Sequence, residues 1–115
     1  MERMSTPEAI LIDDDIWIRD AWQLKGDTMG VQIDVFESGA AFLRVAAPYD
    51  RDIPIFIDIY LGAGADGLVV GDSLAQLGFR RIYVATAVSP LLERRPWMAG
   101  VIGKSPPDWL FSRNA

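Results

Sequence analysis

Five short apolar runs, separated by stretches with helical spacing, constrain this 115-residue chain more than any other feature. "AILI" (9–12), "VQIDVF" (31–36), "IPIFIDIYL" (53–61), "RIYVAT" (81–86) and "GVIG" (100–103) are rich in β-branched and aromatic side chains, which suit a pleated, buried surface. Between them, Trp17, Ala21 and Leu24 recur beside Ile18 and Trp22, Phe42 is followed by Val45, and Leu68 leads to Leu74 and Leu77. This alternation predicts βαβ units with right-handed crossovers, and so an α/β, doubly wound, five-stranded parallel sheet. The nearly unbroken apolar content of the third run suits a central strand. Gly30 and Gly78 are placed to end helices in the left-handed conformation, and Pro54 removes a ladder donor at the start of the third run. The last helical stretches are weak. "SPLLERRPWMAG" (89–100) is interrupted by Pro96 and "PPDWLFSRNA" (106–115) is brief, so shortened fourth and fifth helices are expected.

Length and composition narrow the chemistry. A chain of 115 residues suits one domain spanning 1–115, and its 50% hydrophobic and 23% charged content is that of a folded protein. A net charge of −5 argues against a nucleic-acid partner, because phosphate neutralisation rests on basic side chains. With no Cys, disulfides, thiolate chemistry and thiolate zinc sites are excluded. With no His, the commonest general base and nitrogen ligand are also missing, which leaves oxygen ligands and a hard cation. No apolar run approaches the roughly 18 residues that span a bilayer, and "MERMSTPE" lacks the apolar core of a secretory signal. The expectation is a cytoplasmic protein without membrane insertion.

"LIDDD" (11–15) crowds three carboxylates behind an apolar run. Each raises the cost of ionising its neighbours unless a cation neutralises the group. In a parallel α/β sheet ligands bind beyond the carboxyl ends of the strands, and the polar residues expected there are Asp13, Asp14, Asp58, Thr86 and Lys104. Such a set suits Mg²⁺. Taken singly most of these residues are ordinary: three aspartates make a solvated turn, Asp15 caps the first helix, Thr86 is a strand threonine and Lys104 a surface lysine. Asp58 is different, because an ionised carboxylate inside "IFIDIYL" is costly unless paired or coordinated. Gly67 reads as a turn residue leading into the third helix. The four tryptophans read as core or interface, and an exposed patch at Trp97, Trp109 and Phe111 would signal a partner.

With "LIDDD", "IFIDIYLGAGADGL", "YVATA" and "VIGKSP" in this order, the sequence resembles the receiver domain of bacterial two-component response regulators over nearly all its length. The resemblance implies that Asp58 is the phosphoacceptor. It makes Asp14 a direct Mg²⁺ ligand and Asp13 a ligand mainly through water, with Asp58 and the backbone carbonyl of Tyr60 completing the protein's share. Lys104 would neutralise a phosphoryl oxygen, Thr86 would hydrogen-bond another, and Ala87 would leave room for the donor. The implied partners are a histidine kinase or phosphotransfer protein that supplies the phosphoryl group, and a downstream protein target. A homodimer is compatible with it. Catalysis would be confined to the protein's own phosphorylation and slow dephosphorylation, so the chain is not expected to be an enzyme.

Several departures from the family pattern qualify this picture. Val101 stands three residues before Lys104, where receivers commonly carry a Tyr or Phe that rotates with the threonine. Ser105 separates Lys104 from Pro106, which displaces the family's cis peptide or moves it to Ser105-Pro106. The loop from Asp58 to Gly67 is one residue longer than usual and lacks its proline, and the shortened fourth helix alters the family's habitual dimer and output face. Tyr60 and Val88 flank the path of the hydrolytic water, which implies a long-lived phosphorylated state. Two other classes remain. One is a pseudo-receiver that binds partners without phosphorylation. The other is a haloacid-dehalogenase-type phosphatase, for which Asp13 and Asp15 have the right spacing but Trp17 and the absence of an acidic pair after Lys104 do not. Trp17 is expected near the metal site.

Overall fold

The apolar runs all contribute strands to one sheet in the computed structural model, which describes residues 6–61, 65–87 and 94–112. In chain order the elements are β1 (Ala9–Ile12), α1 (Ile16–Met29), β2 (Ile33–Phe36), α2 (Gly39–Leu43), β3 (Ile55–Ile57), β4 (Tyr60–Leu61), β5 (Ala65–Asp66), α3 (Gly67–Gln76), β6 (Ile82–Ala85) and β7 (Met98–Ile102). A 3-10 turn over Asp108–Phe111 follows. The main sheet has the order β2-β1-β3-β6-β7, every pairing is parallel, and β3 lies at its centre as its apolar content requires.

Strand alternation sends neighbouring residues to opposite faces. Ile10, Ile12, Ile55, Ile57 and Ile82 pack with Phe42 of α2 and Leu74 of α3 on one face. Ala9, Leu11, Ile33, Phe56 and Ala85 pack with Trp22 of α1 and with Leu110 on the other. The helices are capped as their sequences indicate. Asp15, Ser38 and Asp66 accept hydrogen bonds from the first turns of α1, α2 and α3. Gly30 ends α1 at φ 73°, and Gly78 follows α3 at φ 95°. Pro54 sits just before β3, where its carbonyl accepts from Ile10 and no donor is demanded of it.

Three elements depart from the sequence expectation, and the fifth helix is short as expected. The run 53–61 is not one strand: the ladder ends when the Asp58 amide donates to Ile12, and Tyr60–Leu61 pair antiparallel with Ala65–Asp66 as a separate hairpin. The run "GVIG" starts two residues earlier than expected, because Met98 and Gly100 pair with Ile82 and Tyr83 across a bulge. The short fifth helix is the 3-10 turn, whose Trp109 ring lies 5.4 Å from Tyr83 and 6.0 Å from Phe56. Helix α1 buries Trp22 and Gly26, while Trp17 and Leu24 are 78% and 68% exposed.

The expected fourth helix falls largely on residues 88–93, which lie outside the described residues, as does Val88. Arg94 to Trp97 form an irregular turn rather than helix. There the Trp97 ring rests on α3 so closely that a Cβ at Gly71 would lie 2.2 Å from it. Its indole donates to the Asp72 carboxylate at 2.6 Å, and this bond, reinforced by Arg95, holds that carboxyl below the usual range.

Gly67 serves a close approach rather than a turn. A Cβ there would lie 2.2 Å from the Asp58 carbonyl oxygen and 2.7 Å from the Ile59 Cα, so only glycine lets α3 start against the backbone of the central strand. Gly67→Ala is expected to destabilise the protein by about 1–3 kcal/mol, read as a lowered urea midpoint with unchanged slope.

Tyr49 donates its hydroxyl to Asp34 at 2.6 Å. Burial first, then the hydrogen bond and charge of Asp34, push its pKa from 10.0 to about 12. A folded-state pKa above the unfolded value gives stability that is complete below the unfolded pKa of about 10 and is lost as pH rises through the folded one. Absorbance titration is therefore expected to find Tyr49 ionising near pH 12. Tyr49→Phe is expected to delete that phase and to flatten the alkaline loss of stability.

Candidate functional site

Parallel register builds the site. Ile12 pairs with Ile57, so the next residues, Asp13 and Asp58, leave β1 and β3 side by side at the carboxyl edge. Leu11 and Phe56 belong to the core on the α1 side, and alternation directs Asp13 and Asp58 to that same side. On the far side of β6, Ala85 pairs with Ile102 of β7, which brings Lys104 to this edge two residues later. The tandem aspartates of "LIDDD" divide by function here: Asp13 is fully buried, Asp14 is exposed, and Asp15 caps α1.

The carboxylates of Asp13, Asp14 and Asp58 each offer an oxygen, and these oxygens lie within 4.8 Å of one another. Lys104 Nζ reaches two of the three acids, donating to Asp13 Oδ2 at 2.7 Å and contacting Asp58 Oδ2 at 2.9 Å. Burial opposes the ammonium, but its hydrogen bonds and charge interactions with Asp13 and Asp58 outweigh that cost, and the Lys104 pKa is raised above the ordinary lysine value. Asp13 Oδ1 accepts the Asp15 amide at 2.9 Å, so both its oxygens are engaged. The phosphatase alternative would make this buried group the nucleophile. Asp58 is 7% exposed.

The donor set fits a hard divalent cation. It holds three carboxylates against one ammonium, offers oxygen ligands only, and includes an exposed Asp14 through which an ion with retained waters could enter. Asp13, Asp14 and Asp58 are thus the residues able to hold Mg²⁺.

The remaining expected residues lie around this cluster. Thr86 follows β6, is 6% exposed, and donates its backbone amide to Ile102 at 3.0 Å. Ala87 beside it is exposed, and Ser105 is exposed next to Lys104. Tyr60 opens β4, paired with Asp66. Val101 lies within β7 opposite Val84, with no aromatic ring in its place. Among the described residues there is no cis peptide bond, so Ser105-Pro106 is trans. Trp17 stands in the first exposed turn of α1. The tryptophan tied to the site is Trp22, whose indole donates to the Lys104 carbonyl at 2.8 Å. Arg19 also belongs here, donating to the Asp13 carbonyl at 2.9 Å. Neither residue stands in a motif. Trp22 looks like any core tryptophan and Arg19 like any surface arginine until the helix is docked.

No protein-family model matches the chain, and no curated protein matches it in sequence. Solved structures do. A CheY-like response regulator receiver domain from Methylobacillus flagellatus is 20% identical, with a TM-score of 0.70 over 95% of this chain and 94% of that one. The N-terminal domain of a response regulator/sensory box/GGDEF three-domain protein from Carboxydothermus hydrogenoformans is 20% identical, with a TM-score of 0.70 over 89% and 85%. The response regulator StyR is 15% identical, with a TM-score of 0.75 over 95% of this chain, which spans only 59% of StyR. The parallel sheet and its acidic carboxyl edge therefore have the fold of the response regulator receiver domain.

Proposed function

We propose that this chain is a phosphoacceptor receiver in a two-component phosphorelay. The observation that carries this reading is the meeting of Asp13, Asp14 and Asp58 within 4.8 Å, with Lys104 Nζ at 2.7 and 2.9 Å from two of them. Such a cluster binds a cation, carries a carboxylate nucleophile, and keeps an ammonium beside the place where phosphoryl charge develops.

In this reading an Asp58 oxygen attacks phosphorus of a phosphohistidine on a histidine kinase or phosphotransfer protein. The O–P bond forms and the P–N bond breaks, its electron pair leaving with the imidazole, which takes up a proton. Mg²⁺, when bound, supplies neutralising charge to the phosphoryl oxygens. Asp14 would hold the ion directly and Asp13 mainly through water, with Asp58 and the Tyr60 carbonyl as further ligands. Lys104 passes from the Asp58 carboxylate to a phosphoryl oxygen, Thr86 donates its hydroxyl to another, and Ala87 leaves room for the donor. The added charge of about −1.5 to −2 draws Thr86 inward and alters the surface that a downstream protein target reads. Catalysis is confined to the chain's own phosphoryl group. Without the family's aromatic at Val101, output does not use ring rotation at that position.

Acetyl phosphate or a phosphoramidate with Mg²⁺ is expected to label Asp58, and Asp58→Asn is expected to abolish labelling. The label should outlast seconds after donor removal, as the resemblance implies for Tyr60 and Val88. An unlabelled native protein would leave the pseudo-receiver, and turnover of a generic phosphatase substrate would favour the enzyme alternative.

Metal addition gives a second measure. At a hundredfold excess over Kd, Mg²⁺ is expected to stabilise the fold by about 2.7 kcal/mol in urea denaturation. Asp14→Asn relieves like-charge repulsion, so in EDTA the variant should be more stable by about 0.5 kcal/mol, yet lose most of the Mg²⁺ gain.

A further inference from the structure

Lys104 reaches Asp13 and Asp58 from a loop that its own neighbours do little to hold. Gly103 before it has no heavy atom within 4 Å of where a Cβ would lie, and Ser105 after it is exposed. The Lys104 carbonyl, in contrast, accepts a hydrogen bond of 2.8 Å from the Trp22 indole across 82 residues of chain. That indole is itself immobilised. Trp22 is 1% exposed, belongs to the core with Leu11, Phe56 and Leu110, and its ring lies 5.1 Å from that of Phe56. Phe56 precedes Asp58 by two residues on the central strand. One rigid side chain thus touches the strand that carries Asp58 and the peptide that carries Lys104.

We propose that Trp22 is a positioning residue for the site, its indole N–H fixing the Lys104 backbone so that the ammonium falls between Asp13 and Asp58. Apolar packing alone would be served by any large ring at this place. The donor adds direction, because an N–H in a nearly dry core aims a carbonyl within a narrow angular range. A lysine has a four-carbon stem with several rotatable bonds, so fixing its Cα restricts where the ammonium can go. The functional half of the inference rests on the phosphoacceptor reading, and the structural half does not.

Two replacements separate donor from packing. Trp22→Phe keeps an aromatic ring against Phe56 and removes the N–H, and a benzothienyl-alanine at position 22 keeps the full bicyclic shape while also lacking it. In both proteins, ¹⁵N NMR is expected to find hydrogen exchange of the Lys104 ammonium accelerated about tenfold. Mg²⁺-dependent labelling of Asp58 by phosphoramidate is expected to slow by roughly tenfold, the scale on which groups behind a site's direct ligands act. In a Lys104→Met background, Trp22→Phe should cause no further slowing, since nothing is left to aim. Unchanged ammonium exchange in the benzothienyl protein would overturn the inference, as would a labelling defect confined to Trp22→Phe. If native protein takes no label while ammonium exchange still responds, the phosphoacceptor reading fails and the positioning role stands.

Discussion

The contact on which the site depends is the bridge that Lys104 Nζ makes to Asp13 and Asp58, at 2.7 and 2.9 Å. Without a cation, three carboxylates within 4.8 Å at the edge of an apolar sheet would repel one another and would be costly to keep ionised. The ammonium neutralises part of that charge and ties β7, at the sheet's edge, to β1 and β3 at its middle. The bridge joins residues 91 positions apart, Asp13 and Lys104, and needs β1, β3, β6 and β7 side by side. The site is therefore a product of the complete fold and not of any local segment.

How much of this was legible beforehand depends on which residues carried a period or a charge out of place. The five runs marked the strands because β-branched side chains repeated where burial demanded them. Asp58 was legible because nothing else in "IFIDIYL" is charged. The docked face of α1 was less so. Both Trp17, Ala21, Leu24 and Ile18, Trp22 are apolar stripes at helical spacing, so periodicity alone offers two faces. Gly26 decides between them, since a Cβ there would lie 2.5 Å from the Val31 carbonyl, and only this face lets the helix approach the sheet. Gly67 shows the same limit. Its place just before the third helix suggested a turn, whereas the constraint is the Asp58 carbonyl brought against it by tertiary contact.

Strand ends were the least legible feature, for a physical reason. An apolar run records which residues are buried, not which amides find ladder partners. The run 53–61 has hydrophobic residues on both sides of Asp58, but the sheet ends where Asp58 turns its carboxylate to the edge, and Tyr60–Leu61 pair locally with Ala65–Asp66. The C-terminal helix is short, as its sequence indicated, for a related reason. "DWLF" can bury Leu110 and lay Trp109 over Tyr83 within a single 3-10 turn, so the sheet is covered without a longer helix.

Two features at β7 are connected by this geometry. Val101 stands where the resemblance led to an expected aromatic, and Ser105 separates Lys104 from Pro106, so the Thr86 loop and the Lys104 loop lack that ring between them. The backbone keeps them linked. The Thr86 amide donates to Ile102, two residues before Lys104, and the Lys104 carbonyl accepts from Trp22 on α1. Thr86 and α1 therefore hold the carboxyl end of β7 at two points two residues apart, Ile102 and Lys104. In the proposed switch, these main-chain hydrogen bonds and the buried indole would spread a movement of Thr86 over β6, β7 and α1 instead of passing it through one ring.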